Sequence, residues 1–446
     1  MTHLINSIVF FVSISSAVVF FFIFGDDRSD LEYHNGKAYI SEEKRELTEV
    51  PPFTFENYLN GEWAKKFDLF VNDNFPFRKS LIDWSVELRK LRGIEMENQE
   101  KVVYIKPKQG EQPKFDEKGN PIEYLDEYDE SYSNGLLILN GRVYPRSGGS
   151  PKLAAGFARM VSDYAEQLSG EVRVLTAVPP LSSAFIPAEE YSYYNSQNKR
   201  SLEAIKSNLS NGAIFCDVFT ELNSHAGEQL YFGTDHHWKP IGAYYAYVAF
   251  CKGAGFTPVA LDQMEKRTKT NFLGTMYQLT QDPSVKENPD VMDYFIPKVQ
   301  TTAIRFGEYG FKGSPAKVFE HGCSGGATYS TFLGGDRPLM KITTNVKNGR
   351  KAVVIKNSMG NAFSVFLISH YEELWIVDLR YSKQNLIEII RTNHINDLIF
   401  APGMNHVMNP NTVNMMRRLG TQSGVYIPPK PNPEVDSTNQ VTDTIP

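Results

Sequence analysis

The chain has no basic block, no C-x-x-C pair, no H-E-x-x-H motif and no internal repeat. Lys and Arg total 46 against 52 Asp and Glu, a formal net charge of −6, so the electrostatic footprint of a nucleic-acid binder is missing. The three cysteines are Cys216, Cys251 and Cys323, and none is in a close pair. That argues against a thiolate zinc site, while one disulfide beside one free thiol stays open outside the cytoplasm. Histidine is scarce too, nine in 446 residues. Two of them nevertheless stand side by side in "YFGTDHHWKP" (231–240), two positions from an acid and next to a tryptophan.

Charge is also absent from Leu4 to Phe24, "LINSIVFFVSISSAVVFFFIF". As a helix this stretch is roughly 30 Å long, enough to cross a bilayer core. It lacks the basic start and the small-residue cleavage site of a signal peptide and ends in bulky Phe residues, so an uncleaved anchor (1–24) reads better than a cleaved signal. The polar body behind a single N-terminal span is then expected outside the cytoplasm, in the periplasm or at the cell surface. A hydrophobic fraction of 41% and a charged fraction of 22% suit a globular body.

Residues 25–52 read as a polar stalk. Trp63, Phe67, Phe70 and Val71 then fall on one helical face, "NDNFPF" (72–77) breaks it, and Leu81, Trp84, Leu88 and Leu91 make a second helix ended by Gly93. An irregular excursion rich in charge, Gly and Pro spans about 94–133. "GLLILNGRVY" (135–144) predicts a hairpin around Asn140-Gly141. A helix near 152–168, an apolar strand at 172–180, a helix at 198–208 and a strand at 213–219 follow. That alternation implies an α/β fold with a mostly parallel sheet. Residues 266–335 lose the rhythm and predict an irregular insertion of strands and loops. The rhythm returns as a strand (351–357), helix (360–371), strand (373–379), helix (383–393) and strand (397–401), a βαβαβ run whose ligands bind outside the carboxyl strand ends. The body is therefore taken as 53–427, and the Pro-rich tail 428–446 as disordered.

The chemistry-bearing junction is "VVIKNSMGN" (353–361). Ser358 follows a buried strand and precedes a helix, where first-turn N–H groups can stabilise an oxyanion. Serine is also a favoured helix N-cap, which is the plain structural alternative. A serine nucleophile needs a base. In "TDHHWKPIGAYYAY" (234–247), Pro240 suits a first helical turn, so Asp235 to Trp238 form the loop before it. Asp235 can hold the tautomer of His237 two residues on. Zinc hydrolysis would need a third ligand that adjacent positions do not comfortably supply, and no metal is expected. A packing role for Trp238 with backbone-capping histidines remains the other reading. Asn361 is a candidate side-chain donor or simply a helix-start residue. Arg380 and Tyr381 follow the "LWIVDL" strand at the same sheet edge, where Arg380 would bind an anionic sugar or acyl oxygen, or form a surface ion pair. The "YYAY" run (244–247) reads as packing against the sheet.

"TDHHWKPIGAYYAY" with "IKNSMGNAFSVFLISHYEELWIVDLRY" resembles the bacterial DHHW proteins, relatives of the SGNH-hydrolase-like alginate O-acetylation proteins. "FDLFVNDNFPFRKSLID" (67–83) resembles the N-terminal segment of those proteins, so the likeness runs from about 53 to 410. The resemblance implies a three-layer, flavodoxin-like SGNH domain in permuted motif order. Ser358 would be the nucleophile, His237 the general base and Asp235 the orienting acid, with His236 in the variable position and Asn361, Arg380, Tyr381, His236 and Trp238 as further oxyanion or substrate-binding candidates. This chain departs from the family pattern at Asn357, where DHHW proteins commonly carry Asp. The implied function is extracytoplasmic O-acetylation of a cell-surface or secreted polysaccharide, with no cofactor and with a membrane-bound O-acyltransferase passing acetyl across the membrane. An acetylesterase with the same triad, or a non-catalytic glycan-binding protein, are the alternatives.

Overall fold

The computed structural model describes residues 31–34, 37–40, 45–59, 61–75, 101–103, 134–309 and 313–424, and single positions 16 and 84. The expected anchor at 4–24, most of the second helix at 81–91, most of the excursion at 94–133 and the tail at 428–446 lie outside the described residues. Among the described residues, no helix is long and apolar enough to cross a membrane.

The chain divides into two compact units. The first comprises Met1–Lys101, Ile138–Val143 and Thr275–Asn288. Inside the expected stalk, Leu31–His34, Lys37–Ile40 and Arg45–Glu46 form a small antiparallel sheet. The predicted helix spans Glu62–Asp73, and Trp63 and Phe67 stack at 4.7 Å on its expected face. Its last residue, Asp73, accepts from Thr48 Oγ1 at 2.5 Å, fastening the helix end to the preceding chain.

The second unit comprises Val102–Leu137, Tyr144–Gly274 and Pro289–Pro446. It holds an eight-stranded sheet of β1 (Arg173–Thr176), β2 (Ile214–Phe215), β3 (Thr301–Phe306), β4 (Ser314–Ala316), β5 (Leu339–Thr344), β6 (Lys351–Lys356), β7 (Glu373–Asp378) and β8 (Asp397–Ala401), in the order β4-β3-β5-β7-β6-β8-β1-β2. The five strands from β7 to β2 are parallel, and β3, β4 and β5 join antiparallel at the β7 edge. Side chains alternate across this sheet. Ala352, Val354, Ile376 and Ile399 enter one core with Tyr247, Phe250, Phe363 and Phe366. Val353, Ile355, Val377, Leu398 and Phe400 enter another with Phe157, Val161, Ile205 and Ile389. Burial on both faces explains why β6, β7 and β8 read as continuous apolar runs.

Among the helices of this unit are α1 (Pro151–Gln167), α2 (Ser192–Asn208), α3 (Pro240–Ala254), α4 (Met359–Leu367) and α5 (Leu386–Thr392). Two sequence expectations need correction. The strand expected at 213–219 is only Ile214–Phe215, because Asp217 accepts from Thr220 N at 3.1 Å and caps a helix over Val218–Asn223. The insertion expected at 266–335 holds an antiparallel hairpin, Glu265–Phe272 with Asp290–Ile296, but its later part is β3 and β4, which extend the main sheet. The Asn140-Gly141 turn takes positive φ at both residues, 51° and 70°, as a two-residue hairpin requires. Cys216, Cys251 and Cys323 are all free thiols, so the open disulfide is not formed.

Candidate active site

The DHHW segment is a closed loop. Tyr231 and Trp238 form an antiparallel bridge, Phe232 N donates to His237 O at 3.1 Å, and Lys239 N donates to Leu230 O at 2.8 Å. Trp238 is 1% exposed and anchors the loop in the core, which fits the packing reading rather than contact with substrate. From the facing hairpin, Asp290 accepts from Gly233 N at 2.9 Å, Thr234 N at 2.7 Å and Thr234 Oγ1 at 2.8 Å. Thr234 Oγ1 also lies 3.0 Å from Phe272 O and accepts from Gly274 N at 3.2 Å. One buried carboxylate thus organises the loop's tip. Replacing Asp290 with Ala strands these donors and is expected to cost about 3 kcal/mol of stability, measured by urea unfolding, with Asp290→Asn less affected. A loss below about 0.5 kcal/mol, the range of a neutral surface change, would contradict this role.

Held in that loop, Asp235 Oδ1 lies 2.5 Å from His237 Nδ1 and 3.0 Å from the His237 backbone N. A carboxylate can only accept, so Nδ1 carries the proton and Nε2 of the neutral ring carries the lone pair. This is the orientation a general base requires. Gly274 packs directly against the acid: a Cβ there would collide with Cβ and Oδ2 of Asp235. Gly274→Ala is therefore expected to move the carboxylate off Nδ1 and lower kcat by about 100-fold, the scale of a misplacement near 1 Å. Unchanged kcat in a steady-state assay would show that Asp235 has room to spare.

Ser358 stands two residues past β6, at the carboxyl edge of the parallel strands. It takes the N-cap position of α4 with helical φ and ψ of −55° and −30°, and its side chain makes no capping hydrogen bond. The N-cap role that serine usually plays is thus not the role of this hydroxyl. Asn357 supports the turn: its Oδ1 accepts from Gly403 N at 2.9 Å, and its Nδ2 lies 3.2 Å from His406 Nδ1. The amide at 357 therefore fastens the loop after β8 to the turn that carries Ser358, a structural task that uses a donor as well as an acceptor. Tyr329, from the short helical turn Gly325–Thr331, reaches both halves of the site. Its ring stacks on His237, with centroids 3.7 Å apart and planes 12° apart, and its hydroxyl donates to Met359 O at 3.3 Å. One tyrosine side chain thus spans from the imidazole at 237 to the residue after Ser358.

The remaining candidates fall differently. Arg380 is not an exposed anion-binding group. Its Nε donates to Asp378 Oδ1 at 3.0 Å and one terminal nitrogen lies 2.7 Å from Asp336 Oδ2 and 2.9 Å from Asp378 Oδ2, all with buried side chains. Lys356 Nζ, equally buried, pairs with Asp336 at 3.1 Å and Asp378 at 2.9 Å. Two cations facing two carboxylates balance a charge set that no single member could carry in the core. Burial alone would pull the Arg380 pKa down, but Asp378, Tyr381 and Asp336 reverse this and hold it well above the usual guanidinium value. Tyr381 is buried beneath that guanidinium, 4.8 Å from ring centroid to Cζ, which removes it from the substrate-facing set. Asn361 directs Nδ2 to Asp336 Oδ1 at 3.0 Å, so its amide is tied to the charge network beneath α4. His236 is half-buried, its ring 3.8 Å from that of His237. Asp235, His236 and His237 lie close enough to share a cation, yet Asp235 and His237 are already joined to each other.

Sequence reasoning missed Asp290, Gly274, Tyr329, Asp336 and Lys356. Only Lys356 left a signal, a lysine directly after the apolar run Ala352–Ile355, where a buried charge demands a partner. The others act through pairings that no local pattern encodes.

Comparison with known proteins agrees with this architecture. No curated protein matches the chain. Among solved structures, a DHHW family protein from Eubacterium siraeum is 32% identical, with 63% of this chain and 95% of that one covered and a TM-score of 0.58. Bacillus cereus PatB1, solved with a sulfonyl adduct, is 18% identical over 62% of this chain and 97% of its own, with a TM-score of 0.52, a likeness of fold. The O-acetyltransferase domain of Pseudomonas putida AlgJ also matches, at 14% identity over 63% of this chain and 96% of its own, with a TM-score of 0.33. The family described as DHHW protein matches residues 130–377, more than half of the sequence and inclusive of the Asp235–His237 loop and Ser358. On that match, the chain belongs to the DHHW family.

Proposed function

We propose that this protein is an O-acetyltransferase that modifies hydroxyl groups of a cell-surface or secreted polysaccharide through an acetyl-serine at Ser358, on an SGNH-hydrolase-like domain with motif order Asp, His, Ser. The observation that carries the reading is the 2.5 Å contact between Asp235 Oδ1 and His237 Nδ1, which leaves the Nε2 lone pair as the proton acceptor of the neutral ring. His237 takes the Ser358 proton as Oγ attacks the carbonyl carbon of an activated acetyl donor. The imidazolium returns that proton to the donor's leaving group. His237 then deprotonates an acceptor hydroxyl, which attacks the acetyl-serine, and Ser358 recovers its proton as the ester leaves. The backbone N–H of Ser358 is the first candidate for holding the oxyanion of each tetrahedral intermediate, since Gly360 N and Asn361 N already donate to Asn357 O and Ser358 O.

The buried Lys356–Asp336–Asp378–Arg380 set supports the reading by fixing the strand ends on which Ser358 sits. The charge-free residues 4–24 favour a domain tethered outside the cytoplasm, where an acetyl donor must be supplied by a membrane-bound partner. Incubating the protein with an acetyl-ester donor and neutral or uronate oligosaccharides tests the proposal. Acetylated oligosaccharide is the expected product; free acetate alone would make the protein an esterase, and no turnover would support glycan binding instead.

A further inference from the structure

The helical turn Gly325–Thr331 lies in a segment that the sequence presents as irregular, yet it contributes Tyr329, whose ring stacks on that of His237. Tyr329 is buried. Burial raises its phenol well above the usual tyrosine value, and the charges of Asp235 and Asp336 add to this, against the lowering from Trp238 and the Ala362 backbone. The hydroxyl therefore stays protonated and remains a donor. It cannot be the base of the reaction, and its ring face is covered by the imidazole at 3.7 Å.

We infer that Tyr329 is a positioning residue for the reaction: its ring sets the plane of the His237 imidazole, and its hydroxyl ties that plane to the helix that follows Ser358. The inference rests on the Ser358–His237–Asp235 reading above. The geometry divides the task between two groups. Asp235 meets His237 in the ring plane at Nδ1 and so fixes rotation within that plane. It does not fix the tilt, because a single hydrogen bond leaves the ring free to rock about its own axis. Tyr329 supplies that constraint, lying 12° from parallel against the ring face. The tyrosine hydroxyl, at 3.3 Å from Met359 O, converts the same side chain into a strut between chain positions more than a hundred residues apart. When His237 takes the serine proton, the negative face of the phenol ring also favours the imidazolium over the neutral ring. Among the described residues, titratable groups that face His237 include Asp235 at Nδ1, His236 beside the ring at 3.8 Å and Tyr329 on its face.

The test uses the full chain carrying Tyr329→Phe or Tyr329→Leu, each with Ser358 intact or replaced by Ala. Tyr329→Leu removes stack and strut and is expected to lower kcat by about 100-fold with KM held within about twofold. Tyr329→Phe keeps the stack and should retain kcat within about tenfold of wild type, since all that it loses is the neutral hydrogen bonding of the hydroxyl. In the Ser358→Ala background, the nitrogen resonances of labelled His237, assigned by their loss in His237→Gln, should titrate about half a pH unit lower in Tyr329→Leu and unchanged in Tyr329→Phe. Wild-type kcat in Tyr329→Leu, or an unmoved His237 titration in that variant, overturns the inference. So does an equal loss in both variants without a titration change, which would mark a generally structural residue. Retained activity in Ser358→Ala alone overturns the triad reading instead. The titration needs no turnover, so it still decides whether Tyr329 governs His237.

Discussion

Ser358→Ala is expected to reduce acetyl transfer by about 10,000-fold or more, since loss of a triad nucleophile leaves only binding and oxyanion stabilisation. The stability of the protein should not fall by the amount that losing a helix cap costs. The hydroxyl makes no capping bond, so its removal takes no cap from α4. That separation matters. A serine serving as an N-cap would lose about 1 kcal/mol of stability on replacement and no activity, whereas a nucleophile loses activity and little stability. Paired measurements of turnover and urea unfolding on this one variant distinguish the two roles.

Asp235→Asn is the second large effect, about 10,000-fold in kcat with KM nearly unchanged. The substitution is almost isosteric, and Gly274 leaves room for either side chain. An amide, however, presents both a donor and an acceptor at the His237 side, which permits the imidazole to turn its N–H toward Ser358. A base in the wrong tautomer cannot accept the serine proton. The backbone N of His237 also bonds Asp235 Oδ1 at 3.0 Å, and an asparagine oxygen can preserve that contact, so the loop should keep its shape. A loss of less than about tenfold would mean that the ring is oriented by something other than this carboxylate. Tyr329 and the loop's closure would then be the principal constraints.

Much of this site was legible before any coordinates, and the parts that were not have a common physical reason. The run from Lys351 to Ala401 declares itself because the middle of each strand is buried on both faces and is therefore apolar, with charges only at the strand ends. The helices between are short enough to leave only one arrangement. Ser358 and Arg380 follow from that pattern alone, since both sit just past parallel strands. Asp235 and His237 are neighbours in sequence, so their pairing needs no fold to predict. Strands β3 and β5 were not legible. "TTAIRF" and "LMKITT" mix polar and apolar residues as half-covered antiparallel strands do, and nothing local says that they join the main sheet. Arg380 was placed at the correct edge with the wrong surroundings. Of its two counter-charges Asp378 is a near neighbour, but Asp336 comes from a separate segment, and nothing local says that its carboxylate will cover the guanidinium. Tyr329 and Asp290 act wholly across the fold, one by a ring face and one by a carboxylate, and neither leaves a pattern in its own neighbourhood.

The most direct test is to treat the protein with an aryl sulfonyl fluoride, digest it, and locate the adduct by mass spectrometry. Displacement of fluoride by an activated hydroxyl should leave one sulfonate ester on the peptide containing Ser358. Labelling should vanish in Ser358→Ala and slow by at least about 1,000-fold in His237→Ala, in line with loss of the activating base. An adduct on another residue, or labelling of Ser358 at the same rate without His237, would contradict the account.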